Sequence, residues 1–378
     1  MITSIDQYPM PVILAKQAAI FKLTTNLTVP VMFIAYVQNS GTDQVQAVNK
    51  MGQFDLSEYL DIFEYTETPI ESGVVRINLP SKTVTFYDKE IGNPALPTPV
   101  ITDPYFILNG RIPKSRMNAV YSGYDSFLNY IYYNKTCLTW HPFDTVKKIH
   151  ATTPEYLYFM VAEALQNNTH GLKLRLYFTD GTTEDIDDKY TVSALDQFDT
   201  IEFAVGFTEL GIQDYIDGTE GLEGKTIDFY DVFITNENGV VTDKYRYKPV
   251  FDAEDPRTLI FKNPYGFPET VFCTGRSSVI TKLSFESART DGKLLPDSLN
   301  FSSSRERTVT ANTGFITKEQ AQWLAELLDT TEAFELIEGA LHPITLLDID
   351  IAEHHTDDYL YSAEIKYQCA YIIGEEKG

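Results

Sequence analysis

Hydrophobic and polar positions alternate with period two along much of this chain, the pattern of strands with one buried face. Residues 172–178 show it most cleanly: Leu172, Leu174, Leu176 and Phe178 share one face, and Lys173, Arg175 and Tyr177 the other. Asp180-Gly181 supplies the turn that follows. Residues 227–234 and 240–247 flank Asn236-Glu237-Asn238-Gly239, and Asn-Gly between two such runs predicts a hairpin. Residues 155–161 (EYLYFMV) add another strand.

Nearer the N-terminus, residues 29–37 and 74–79 are rich in β-branched and aromatic residues, which favour strands. Pro80-Ser81 and the run 83–87 then suggest a hairpin with 74–79. Residues 92–104 (GNPALPTPVITDP) read as a loop. Residues 121–133 (YSGYDSFLNYIYY) fit two patterns. Tyr124, Phe127, Leu128 and Ile131 share a helical face, whereas the β-rich content fits a strand, and both readings stay open. Residues 252–268 read as a linker. Beyond it a helix is predicted from Lys318 to Leu328. Thr317 is its N-cap, Gln320 completes a capping box, and Ala321, Leu324, Leu327 and Leu328 form the apolar stripe with Trp323 beside it. Strands at 279–285 and 307–311 precede it, and strands at 344–349 and 359–371 follow. The expected architecture is mainly β. An N-terminal β-rich domain spans 1–148 and an antiparallel, β-sandwich-like domain 149–262. A C-terminal α+β domain with one amphipathic helix spans 263–378.

Composition changes this picture little, but charge bears on partners. With 43% hydrophobic and 13% aromatic residues, the net charge of −24 does not signal disorder. A chain with 54 Asp+Glu against 30 Lys+Arg is unsuited to bind nucleic acid, or an anionic membrane, through a general basic surface. The charge is also uneven. Residues 180–231 hold 15 acids and 2 bases, residues 318–378 hold 14 acids and 3 bases, and the remainder balances. Between Arg111 and His150, Arg111, Lys114, Arg116, Lys135, Lys147 and Lys148 meet only Asp125 and Asp144. Acidic surface of the later domains is therefore expected to face basic surface of a neighbouring subunit or partner, with plain solubility as the alternative. The candidate interface residues are Arg111, Lys114, Arg116, Lys147 and Lys148, the acids Asp185, Asp187 and Asp188, and Tyr124 and Tyr130 from the aromatic run.

Chemistry-bearing motifs are few. Cys137, Cys273 and Cys369 lie far apart without a CxxC, so a disulfide framework is not indicated. Cys137 sits in an apolar-aromatic stretch and reads as a buried structural residue. The start, MITSIDQYPMPVILAKQAAIF, lacks the basic and long apolar regions of a signal peptide, so a soluble protein made in the cytoplasm is expected. Asp348, Asp350, Glu353, His354, His355, Asp357 and Asp358 are the densest set of potential metal ligands. They straddle a strand-to-strand turn without ligand spacing, and a solvated polar hairpin tip is the favoured reading. The acids between Asp180 and Asp188 lack the order of a calcium loop. There is no G-x-S-x-G, Walker A or G-x-G-x-x-G. No catalytic residue, metal or cofactor is expected.

One resemblance remains. Residues 138–159 (LTWHPFDTVKKIHATTPEYLYF) open the second domain and residues 261–276 (FKNPYGFPETVFCTGR) close it. The last domain then runs through 308–328 (TVTANTGFITKEQAQWLAELL) to strands near 334–336, 343–346 and 359–370. This order resembles uncharacterised β-rich structural proteins in the tail modules of phages and prophages from gut bacteria. Thr313, Gly314, Phe315, Ile316, Ala321, Leu324 and Leu327 match the motif of that group. The resemblance implies a virion structural protein of the distal tail or baseplate, assembled in the host cytoplasm. Its partners would be copies of itself in a ring and other tail proteins. It implies no nucleic acid and no membrane insertion. The alternative is a receptor- or glycan-binding module at the tail tip or cell surface, in which the tyrosines of 121–133 would meet a host glycan.

Overall fold

The computed structural model describes residues 1–7, 11–60, 73–77, 79–93, 95, 98–108, 110–121, 123–124, 127–162, 168–289, 298–330, 332–355 and 360–369. The protein is mainly β, as the alternating pattern predicts. Among the described residues, the strands fall into six sheets around three apolar cores.

The N-terminal core holds Phe21, Leu23, Phe33, Phe54, Leu56 and Phe86, all essentially inaccessible. Val31–Val37 shows why the pattern specifies it: Val31, Phe33, Ala35 and Val37 point inward, and the intervening residues do not. This strand pairs along its whole length with Val84–Glu90. The hairpin expected between 74–79 and 83–87 therefore does not form. Tight hairpin turns need positive φ at their centre, which Pro80 cannot adopt. Val74–Ile77 instead pairs with Thr200–Ala204.

The middle of the chain builds a six-stranded sheet in the order Val146–His150, Tyr245–Val250, Ile227–Asn236, Asn168–Phe178, Thr183–Leu195, with Gly239–Val240 paired to Ile227–Asn236. Leu172, Leu174, Leu176 and Phe178 are buried, as their alternation requires. The predicted hairpin forms at Asn236↔Gly239, with Gly239 at φ 113. The chain then leaves the ladder and rejoins it at Val232↔Tyr245.

A seven-stranded antiparallel sheet closes the fold, in the order Pro268–Cys273, Arg257–Lys262, Ala333–Ile337, Ala340–His355, Leu360–Cys369, Ser298–Asn312, Ser278–Arg289. The linker expected at 252–268 thus contains a strand. Leu259, Ile260 and Phe261 are buried in it, a short apolar run hidden between Pro- and Gly-rich flanks. The boundary expected at 262 falls at the end of this strand, inside the hairpin that opens the C-terminal sheet.

Two short strand sets act as walls between cores. In Tyr156–Met160 every residue is buried, because alternate residues feed different cores. Tyr156, Tyr158 and Met160 face the central core, and Leu157 and Phe159 the core of the middle sheet. Val12–Leu14 does the same between the central and N-terminal cores.

The ambiguous aromatic run resolves as helix. Lys114–Tyr121 and Phe127–Asn134 are helical, and Phe127, Leu128 and Ile131 enter the central core. The C-terminal helix starts as predicted, with both bonds of the Thr317/Gln320 capping box present. It is α-helical over Lys318–Leu324 and tightens to a 3-10 turn over Ala325–Asp329.

Asn263 ties these parts together. Its amide donates to the Leu138 carbonyl (2.8 Å), and its side-chain oxygen accepts from the N–H groups of Tyr265 and Phe267 (3.0 and 3.1 Å). Asn263→Ala strands those buried groups together, and the expected loss is about 2–4 kcal/mol of unfolding free energy in urea titrations.

Candidate functional site

Two features distinguish this fold: a buried charge cluster where its sheets meet, and an apolar arm at the edge of the C-terminal sheet.

At the joint, Lys147 rises from Val146–His150, Glu155 stands before Tyr156–Met160, and Glu269 and Thr270 lie on Pro268–Cys273. All four are buried. The Lys147 ammonium lies 2.5 Å from Glu155 and 4.0 Å from Glu269, and 5.3 Å above the Trp323 ring. Thr270 donates to Glu155, Thr139 to Glu269 (2.6 Å), and Asn263 to Glu269 (3.2 Å). Gln320 reaches across from the helix and donates to the Val146 carbonyl (2.9 Å). One cation thus serves two carboxylates. Burial pushes both carboxyls above the usual range, and the neighbouring ammonium opposes the shift. His141 packs edge-on against Trp323 (4.8 Å), and burial holds its imidazole neutral, with Lys147 acting in the same direction. Nothing here presents an aligned nucleophile and base. Among the described residues no three His, Cys, Asp or Glu side chains converge closely enough for a metal, and no helix is long and apolar enough to cross a membrane.

The arm lies at the edge of the C-terminal sheet. Ser278–Arg289 and Ser298–Asn312 pair from Ser278↔Thr310 out to Arg289↔Ser298. Among the described residues their inner neighbour, Leu360–Cys369, pairs with Thr308 to Asn312. Ser278–Arg289 is the edge strand. Val279, Thr281, Leu283 and Phe285 share one face by alternation. Val309, paired with Val279, is fully buried, so this face continues the core side of the sheet outward. Leu283 and Phe285 are 59% and 61% exposed on it.

At the other end of the same sheet lies an open groove of about 810 Å³. Its walls combine Val146, Phe315, Ile316 and Leu360 with the charged Asp144, Lys148, Lys318 and Glu319. Phe315 is 60% exposed and packs edge-on against His354 (5.7 Å).

The structure redistributes the candidate interface residues. Lys147 is buried within the chain and cannot face a neighbour; its alternation with Val146 and Lys148 turns it inward. Lys148 donates to the Phe315 carbonyl (3.2 Å). Arg116 lies over Trp140 (5.4 Å) and 3.7 Å from buried Glu326. The Arg111 backbone N–H donates to Pro264 (2.7 Å), and Lys114 begins a helix, its side chain outside the described residues. Asp185 and Asp187 pair across strands with Arg175 (2.6 Å) and Lys173 (2.9 Å), and Asp188 stands beside them at φ 54. Tyr124 packs edge-on against Tyr130 (5.5 Å), which in turn rests on Trp140. These residues form no single patch. Of the metal-candidate set, Asp357 and Asp358 lie outside the described residues, as does the His355 side chain. Cys137 is buried, its thiol pushed up by desolvation. Residues 279–285 read as a strand from sequence. Their exposure follows from this strand taking the sheet edge, which no local pattern encodes.

No protein-family model and no curated protein matches the chain. A chain in the tail of an empty gene transfer agent (GTA) particle, refined helically with C6 symmetry, is 13% identical, with a TM-score of 0.25. The match covers 32% of this chain and 96% of that one. A chain in the virion of a native GTA particle is 12% identical at TM-score 0.24, with the same coverage. E. coli alpha-2-macroglobulin is 7% identical at TM-score 0.18, over 80% of this chain and 21% of its own. TM-scores this low do not establish a shared fold, and no residue role is transferred.

The joint generates two expectations. Lys147→Met leaves two buried carboxylates without their cation and should cost about 3–5 kcal/mol at neutral pH. Because both carboxyls take up protons readily, the cost should shrink at pH 5, measured by urea unfolding at both values. Near the joint, burial raises the Glu209 carboxyl to about 7. A raised carboxyl favours the fold while protonated, and that contribution is lost as pH climbs towards the folded value. The stability advantage of Glu209→Gln over the parent should therefore grow between pH 5 and pH 8.

Proposed function

We propose that this chain is a structural subunit of a phage-type tail, at its distal end or baseplate. It acts by protein–protein assembly with copies of itself and with other tail proteins, and no catalytic role is assigned. One observation carries the reading. The sheet-edge strand Ser278–Arg289 exposes apolar residues, with every residue from Ser278 to Glu286 exposed. Exposed apolar residues in line with a core face mark a surface completed by another molecule. The order of motifs through residues 308–370 supports the same reading.

The test is incorporation into particles. Leu283→Asp with Phe285→Asp changes exposed residues, so the melting temperature should move by no more than about 2 °C. Recovery of the double variant in purified particles should fall about tenfold or more, as for apolar anchors at an interface. A parent chain missing from particles, or a variant incorporated like the parent, refutes the reading.

A further inference from the structure

We infer that the Phe315 groove binds a neutral, hydroxyl-rich ligand, a carbohydrate, with one ligand hydroxyl seated beside His141. The groove shares Lys148, Phe315, Ile316 and Gln320 with an inner recess of about 40 Å³, which His141, Lys147 and Trp323 also line. His141 is 7% exposed, and its Nε2 has no hydrogen-bond partner among the described residues. A buried imidazole nitrogen left in that state costs free energy. The recess has room for a partner, since one hydroxyl or water needs only ~10–15 Å³.

The surroundings define what that partner is. A neutral imidazole presents Nε2 as acceptor or donor according to its tautomer, and a hydroxyl answers either. Lys147 has three N–H donors. Glu155 at 2.5 Å takes one and Glu269 at 4.0 Å lies beyond hydrogen-bond reach, so donors remain for the hydroxyl oxygen. Ions fit poorly. An anion would approach Glu155 and Glu269 behind Lys147, and a cation would approach Lys147 and Lys148. The outer walls balance too, with Asp144 and Glu319 against Lys148 and Lys318. A purely apolar guest would leave His141 stranded. The groove's volume of about 810 Å³ falls within the ~300–1,000 Å³ of small-molecule sites. Phe315, 60% exposed, offers a ring to the C–H face of a sugar whose edge carries hydroxyls. None of the tyrosines of residues 121–133 lines either space.

The test uses the full chain with glucose, galactose, mannose and N-acetylglucosamine, as monomers and as disaccharides. Saturation-transfer NMR titrations to about 10 mM reach the weak affinities of single sugars. At least one sugar should bind, and its Kd should move less than about twofold between low and high salt, as for an uncharged ligand. Phe315→Ala and His141→Leu should each raise that Kd at least about fivefold, and His141→Gln, which keeps a hydrogen-bonding group, should recover part of the loss.

No binding by any of these sugars overturns the inference. So does binding that Phe315→Ala leaves unchanged, a result that stands even if His141→Leu fails to fold, because Phe315 is exposed. A Ser/Thr-rich peptide that binds where every sugar fails assigns the recess to a protein hydroxyl and overturns it as well. The inference is independent of the assembly reading: particle recovery decides that one, and sugar binding decides this one.

Discussion

Taking one ammonium and two carboxylates out of water costs several kcal/mol per ion, unless each finds a partner and its remaining hydrogen bonds. The joint at Lys147 meets that demand with groups drawn from both large sheets, a wall strand and the C-terminal helix. Glu155 comes from the edge of the wall strand, Glu269 and Thr270 from the seven-stranded sheet, and the Trp323 ring from the helix. Because the charges are satisfied only when those elements are in register, the cluster constrains their relative placement more tightly than apolar packing would. Leu or Phe contacts tolerate a small slide, but an ion pair of 2.5 Å in a buried site does not.

The walls transmit that constraint. Tyr156–Met160 delivers alternate side chains to two cores, so moving it to suit one core disturbs the other. Val12–Leu14 couples the N-terminal core to the central one in the same way. Three regions that look separable along the chain thus share strands. Asn263 and the Gln320 side chain add polar ties at the same seams, and Gln320 does so while closing its own helix cap.

What could be read from sequence follows from how local each signal is. The alternation of Leu172 to Phe178, the Asn-Gly hairpin and the Thr317/Gln320 box depend on neighbours within a few residues, and the structure reproduces them. Two readings depended on distant partners and went differently. Val84–Glu90 took Val31–Val37 rather than the adjacent run, and Arg257–Lys262 found its sheet across the chain from Ala333–Ile337. Burial of Lys147 was invisible for the same reason, since a lysine's environment is set by carboxylates eight and more than a hundred positions away. The basic stretch from Arg111 to Lys148 therefore dissolves into separate roles, while the exposed apolar face of Ser278–Arg289 emerges only from its place at the sheet edge.

The arm's own sequence shows how an exposed edge can persist without indiscriminate pairing. A long apolar edge strand is a template for aggregation unless charge interrupts it. Ser278–Arg289 places Lys282, Glu286 and Arg289 among its apolar residues, and Lys282 sits 4.0 Å from Glu306 across the ribbon. The net charge of −24 adds a general repulsion between copies, so the edge is guarded both by its own charged residues and by the same acidity that disfavours nucleic acid.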